Sequence, residues 1–228
     1  MIAALANRAY QYQLMGAIFG SEPNHDFVAV ITGETPRLSF GFRYESSAEE
    51  VDFDKEVSLD FLCNLESDFA KNPTVVVESL KEEYTRLFVG PELSPAPAWE
   101  SVYRTKDRVL FGPTTLEVRR VYVDNGFLPK GYPNEADDHL ALELDFMFNL
   151  AQKSLVAWEA RDTEETLRLL TAQVDFLNQH LLYWIDDFAR DIQKSKTKYF
   201  YPQMALVLAH LLKNDVSAIE RLSELLDG

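Results

Sequence analysis

Three long segments in the second half of the chain place apolar residues every three or four positions. They are Leu140, Leu144, Met147, Phe148 and Ala151; then Gln173, Phe176, Leu177, His180, Leu181, Trp184 and Phe188; then Met204, Leu208, Leu211, Leu212, Ile219, Leu222 and Leu226. Such spacing marks one face of a helix with 3.6 residues per turn; a strand would alternate every second residue. The same period recurs upstream at Leu5, Tyr12, Ile18 and Phe19, and at Val76, Leu80, Tyr84, Leu87 and Phe88. These patterns predict an all-α helical bundle of about nine or ten helices in two lobes.

Breakers divide the pattern. Pro23 ends the first helix, and a short helix is expected at Asp26–Thr32. Gly33–Asp52 carries turn residues with local alternation, a weak hairpin signal. Helix is expected again over Asp54–Lys71 and Thr74–Val89, with Asn72-Pro73 between them; proline suits the first position of a helix. Pro91, Pro95, Pro97 and Pro113 forbid a long helix before about Ser101. Thr114–Asn125 is expected to be helical and to close at Gly126. Pro129, Gly131 and Pro133 mark 128–135 as a hinge. The N-terminal lobe is then 1–127, with the proline-rich loop at 90–100, and the C-terminal lobe is 136–228; the two can also pack as one integrated domain. Within the C-terminal lobe, helices are expected at Ala136–Ala160, at Thr163–Ile192 and from Pro202 onward. At 1.5 Å per residue the second would span roughly 45 Å, so a bend or break is expected in it.

Composition narrows the functional classes. The chain has 37 Asp and Glu against 22 Lys and Arg, a formal charge of −15. That field repels nucleic acid and anionic lipid and attracts cationic partners, although it also serves solubility. Cys63 is the one cysteine, so no internal disulfide can form; its apolar neighbours Leu59, Leu62, Leu65 and Phe69 predict a small core residue. No stretch approaches the roughly 20 apolar residues of a membrane helix, and the N-terminus lacks the basic start of a secretory signal. A cytoplasmic protein is expected. The phosphate-binding, zinc-protease, Cys-x-x-Cys and nucleophile-elbow motifs are absent, which lowers the prior for an enzyme and offers no cofactor site.

Two phrases stand apart from core-building. NEADDHLALELDFM, Asn134 to Met147, opens a helix with Glu135, Asp137, Asp138 and His139, and Glu143 follows. Acids in a first turn offset the helix dipole. The same carboxylates can accept guanidinium groups in bidentate fashion. With the helix starting near Asp137, His139 and Glu143 would share a face, and with Asp138 they could hold a metal for hydrolysis, although a tight site wants more ligands. The second phrase, EEYTRLFVGPELSPAPAWESVY, runs from Glu82 to Tyr103 and ends an amphipathic helix in a proline-ordered loop. Trp99 and Tyr103 can line an apolar groove rimmed by Glu92 and Glu100, or Trp99 can plug the core. His180 reads as a satisfied core histidine.

Taken together, the phrases resemble the TorD/DmsD family of redox-enzyme maturation chaperones. The matching residues are Tyr84, Arg86, Leu87, Phe88, Gly90 and Pro91, then Trp99, Ser101, Val102 and Tyr103, then Leu110, Phe111 and Gly112, and finally Glu135, Asp138 and His139. Ala136 stands where the family often has proline. Glu92 and Glu100 replace an aromatic and a glycine of some members, which would make the groove more acidic. The resemblance implies a TorD-like all-α cytoplasmic chaperone, without catalytic turnover or cofactor, acting as a monomer or a domain-swapped homodimer. It further implies binding of the twin-arginine signal peptide, and in some cases the mature domain, of a molybdenum-cofactor oxidoreductase, delaying export until cofactor insertion. Carried across, the leader-binding residues are Asp138, His139, Tyr84, Trp99 and Tyr103, with Ser101 as a hydrogen-bond donor; on charge alone, the arginine pair of a leader would meet Asp137, Asp138 or Glu135. A twin-arginine leader is basic and then apolar, so an acidic patch beside an apolar groove would complement both parts.

Overall fold

The computed structural model describes residues 1–41, 59–90, 94–129, 135–197 and 199–227. In chain order its helices are α1 (Ile2–Gly20), α2 (His25–Ile31), α3 (Glu34–Phe40), α4 (Asp60–Lys71), α5 (Pro73–Tyr84), α6 (Glu100–Arg104), α7 (Pro113–Asp124), α8 (Leu140–Glu159), α9 (Thr163–Phe176), α10 (Leu182–Lys194) and α11 (Tyr201–Asp227). A π-helical turn follows α5 at Thr85–Val89, and another, Leu177–Leu181, joins α9 to α10. Among the described residues no helix is long and apolar enough to cross a membrane.

Local signals set most boundaries. The Asn72 side chain accepts from Val75 N, and Pro73 takes the first helical position of α5. Asn24 caps α2 through Phe27 N in the same way. At the end of α7, Gly126 adopts φ 62°, Gly126 N donates to Val123 O, and Phe127 N donates to Tyr122 O at 2.8 Å. The Tyr122 and Phe127 rings meet with centroids 5.0 Å apart, which completes a Schellman motif. The break expected within Thr163–Ile192 is the π-turn at 177–181, where one extra residue per turn loosens the helix.

Three expectations are corrected. Glu34–Phe40 is helical, so the alternation there does not build a hairpin; residues 42–52 lie outside the described residues. Cys63 is exposed, because Leu62 and Leu65 carry the buried face of α4 and Cys63 lies off it. In α8, Phe146 is fully buried and Phe148 is not, which shifts the core stripe toward Glu143 and Phe146.

The chain packs as two compact units that do not follow chain order: residues 1–20, 98–188 and 212–228 form one, and residues 21–97 and 189–211 the other. Leu128, Pro129 and Glu135 of the expected hinge fall in the first unit, and residues 130–134 lie outside the described residues. In the first unit α1 lies along α8, and α8 along α9. A Cβ on Gly20 would stand 2.7 Å from Ala141 Cβ, so only glycine permits that approach. Arg8, fully buried on α1, holds Asp215 through Nε at 2.5 Å and Nη2 at 2.9 Å, and donates to Gln173 Oε1 at 2.6 Å. The stripe from Gln173 to Phe188 is buried throughout, as its spacing predicts.

In the second unit, buried Glu83 caps α11 from a distant part of the sequence. Its Oε1 accepts from Tyr199 N at 2.8 Å, and its Oε2 from Phe200 N and Tyr201 N at 2.9 and 3.1 Å. Negative charge at a helix N-terminus is favoured, and charged acceptors strengthen the bonds. Glu83→Gln replaces one acceptor with an NH2 that faces a donor. It should cost about 1.5–3 kcal/mol, read as a lower midpoint in urea unfolding with unchanged slope.

Candidate functional site

The first unit brings the two sequence phrases together. Glu100 N donates to Asp138 O at 2.9 Å and Leu140 N donates to Ala98 O at 2.8 Å, so Trp99 and His139 form an antiparallel bridge. This two-rung pairing fixes the start of α6 against the start of α8. Asp138 locks it. Its Oδ2 accepts from Ser101 N and its Oδ1 from Thr115 Oγ1, both at 2.8 Å, with no exposure to solvent. Beside it, Asp137 accepts from Arg119 Nε at 2.8 Å, and its carbonyl accepts from Tyr122 Oη.

The helix therefore opens later than its sequence suggests. Leu140, not Ala136, is the first helical residue, and His139 is the N-cap, with Nδ1 accepting from Ala141 N at 3.1 Å. An accepting Nδ1 assigns the proton to Nε2, so His139 presents an Nε2–H donor. Burial lowers the His139 pKa, and the charges of Glu135 and Asp138 partly oppose that.

On the outside of this pairing, the half-buried Trp99 ring meets the His139 ring edge-on at 5.1 Å, and Trp99 Nε1 donates to Glu135 Oε1 at 3.1 Å. Ala136 N donates to the same oxygen. Glu135 is exposed. A Trp face, a histidine N–H donor and a carboxylate thus stand together at the surface of the unit.

The other candidates sit differently. Ser101 is fully buried and contributes its amide to Asp138. Tyr103 stacks on Trp184 at 5.2 Å. Tyr84 belongs to the second unit, where it packs on Phe88 and Tyr201. Asp137 and Asp138, expected to face arginines, turn inward because backbone and side-chain donors of the same unit already occupy them. Glu100, expected on a groove rim, is also fully buried. It accepts from Arg104 Nε at 2.7 Å and pairs with His180 Nδ1 at 2.9 Å. Glu92 lies outside the described residues.

Behind Glu100 lies Glu143, fully buried, with Trp184 Nε1 donating to Oε2 at 3.3 Å. Burial, and then the neighbouring Glu100, hold the Glu143 carboxyl well above the usual carboxylate range. The metal-hydrolase reading of Asp138, His139 and Glu143 is corrected on this geometry. Both Asp138 oxygens are engaged within the fold, His139 Nδ1 caps a helix, and the Glu143 carboxyl is fully buried and accepts from Trp184 Nε1. Among the described residues no group of three or more His, Cys, Asp or Glu is arranged to hold a metal ion.

Glu143→Gln should stabilise the fold progressively as pH rises. In the unfolded chain the acid ionises near its ordinary pKa of about 4.3, whereas burial raises the native carboxyl well above it, so between the two the unfolded state binds fewer protons. Wild type then loses up to about 1.4 kcal/mol per pH unit until the native group ionises, and the amide does not. Unfolding midpoints of both proteins from pH 4.5 to 8 check this; parallel curves would refute it.

The model of the nitrate reductase delta subunit family matches residues 55–190, which span the Arg-Leu-Phe helix, the bridge and the π-turn at 177–181. The chain is 29% identical over 203 residues to the "Probable Tat proofreading chaperone DmsD" of Haemophilus influenzae, covering 88% of this chain and 86% of that one. It is 30% identical over 138 residues to the "Chaperone protein TorD" of Aliivibrio salmonicida, covering 60% and 62%. Over 88 residues it is 36% identical to the "Tat proofreading chaperone DmsD" of Salmonella typhi, covering 36% and 43%. With its model matched over more than half of the sequence, this chain belongs to the nitrate reductase delta subunit family.

Proposed function

We propose that this protein is a cytoplasmic chaperone of molybdoenzyme maturation that binds the twin-arginine leader of its client and acts by binding, without turnover. The observation that carries this reading is the surface array of Trp99, His139 and Glu135 on a rigid two-rung pairing. Both bonds to Glu135 fall on Oε1, leaving Oε2 for a guanidinium. The Trp99 face offers a cation–π partner to the same group. His139 Nε2–H can donate to a peptide carbonyl. The buried Asp138 acts as a positioning residue that holds the starts of α6 and α8 together. The formal charge of −15 steers a basic peptide toward the protein. The names of the relatives, Tat proofreading chaperones and TorD chaperones, support the same role.

Titration with a synthetic twin-arginine leader and with its Lys-Lys version tests the reading. The arginine peptide is expected to bind at least about tenfold more tightly, because a planar guanidinium stacks and bonds in bidentate fashion where an ammonium does not. Equal, negligible heats with several leaders would overturn it.

A further inference from the structure

A second polar site lies in the first unit. A cavity of about 540 Å³ is lined by Arg104, Glu117, Arg120, Asn178, His180 and Tyr183, among others. Its wall is built by the π-turn, which carries Asn178, Gln179 and His180. Such an inserted turn breaks the regular carbonyl ladder and is frequent at functional sites. Arg104 donates from Nη2 to the Gln179 carbonyl and lies over the Tyr183 ring, with its guanidinium carbon 3.7 Å from the centroid. Fully buried Glu100 fixes this corner from beneath by holding both Arg104 and His180 Nδ1. Arg104 and His180 are thus fixed in place before any ligand arrives.

The remaining chemistry is rich in donors. Arg120, exposed on α7, brings a guanidinium, and Asn178 and Gln179 are at the surface with their carboxamides. Glu117 is the carboxylate of the lining. The volume lies in the range of small-molecule sites and exceeds a bare anion. We propose that this cavity binds a small molecule through an oxyanion, carboxylate or phosphate, with Arg120 and the Asn178 carboxamide as its principal donors. The site is separate from the Trp99 array and does not depend on the leader reading. On a chain of formal charge −15 an anion gains no general attraction, so saturable anion binding here requires a local constellation.

The full chain is titrated by calorimetry with inorganic phosphate and, separately, with succinate, at ionic strength held constant with chloride. At least one anion is expected to bind saturably at a single site. Arg120→Glu should weaken that binding at least about tenfold, through loss of a charge-assisted bond and like-charge repulsion. Asn178→Ala should weaken it a few-fold. Saturation by phosphate alone assigns a phosphate ligand, and saturation by succinate alone a carboxylate. Because Arg120 and Asn178 are not part of the core, both variants should melt as wild type. Linear, unsaturable heats with both anions, or equal binding by Arg120→Glu, would overturn the proposal.

Discussion

Replacing Asp215 with alanine is expected to lower stability by about 3–5 kcal/mol, which for a chain of this size moves the melting temperature down by roughly 10 °C. Asp215 is the counter-charge of Arg8, which has no solvent exposure, and it accepts from Tyr12 Oη at 2.6 Å as well as from two nitrogens of Arg8. Gln173 adds a further acceptor for Arg8, and Gln173 itself donates to Ser154 Oγ at 2.9 Å. Removing the carboxylate takes two charge-assisted bonds and the Asp215 charge from a guanidinium that has no solvent exposure. Holding that cation in low dielectric without Asp215, more than the lost attraction itself, sets the penalty. Arg8→Ala should cost a comparable amount. The double variant Arg8→Met with Asp215→Leu should recover most of the loss, because apolar replacement of both members avoids burying any charge. Thermal unfolding of the four proteins compares the cost of breaking the pair with that of replacing it by apolar residues. Single variants that melt within about 2 °C of wild type would show that the pair is hydrated in solution.

Replacing Trp99 with alanine should weaken twin-arginine leader binding by roughly 10- to 100-fold, about 1.4–2.8 kcal/mol, with little change in melting temperature. The ring is half-buried, and its bond to Glu135 is exposed, so the fold depends on it weakly. Its face is the apolar and quadrupolar surface that a guanidinium would stack on. Glu135→Gln should reduce affinity less, and it should flatten the salt dependence because it removes a charge at the rim. Asp138→Asn separates positioning from contact. Its amide would face Ser101 N or Thr115 Oγ1, so both stability and leader affinity should fall, whereas Trp99→Ala affects only the second. Wild-type leader affinity in Trp99→Ala would place the binding surface elsewhere.

Which parts are legible in the sequence follows from the range of the forces involved. Asn72-Pro73 and Gly126 act within a few residues, so they place a helix start and a helix stop directly. The 173–188 stripe is legible because burial imposes its period over several turns. Cys63 departs from its pattern by one position, since a short amphipathic helix such as α4 can place a neighbour of two buried leucines in solvent. Asp138, Glu83 and Glu100 look in the sequence like surface acids or helix-end charges. Their partners Ser101, Phe200 and His180 stand 37, 117 and 80 residues away, and no local pattern reports such pairing. The late start of α8 has the same cause. Asp138 is available as a cap for its own helix, but the amide of Ser101 and the hydroxyl of Thr115 take its oxygens, and His139 becomes the cap instead.

The Arg8–Asp215 pair also bears on how the molecule is made. Its members stand 207 residues apart, so Arg8 leaves the ribosome long before its counter-ion exists. At about 5–20 residues per second the delay is roughly 10–40 seconds. Throughout translation the first helix must therefore wait without that carboxylate, and the packing of its unit can close only once Asp215 has emerged.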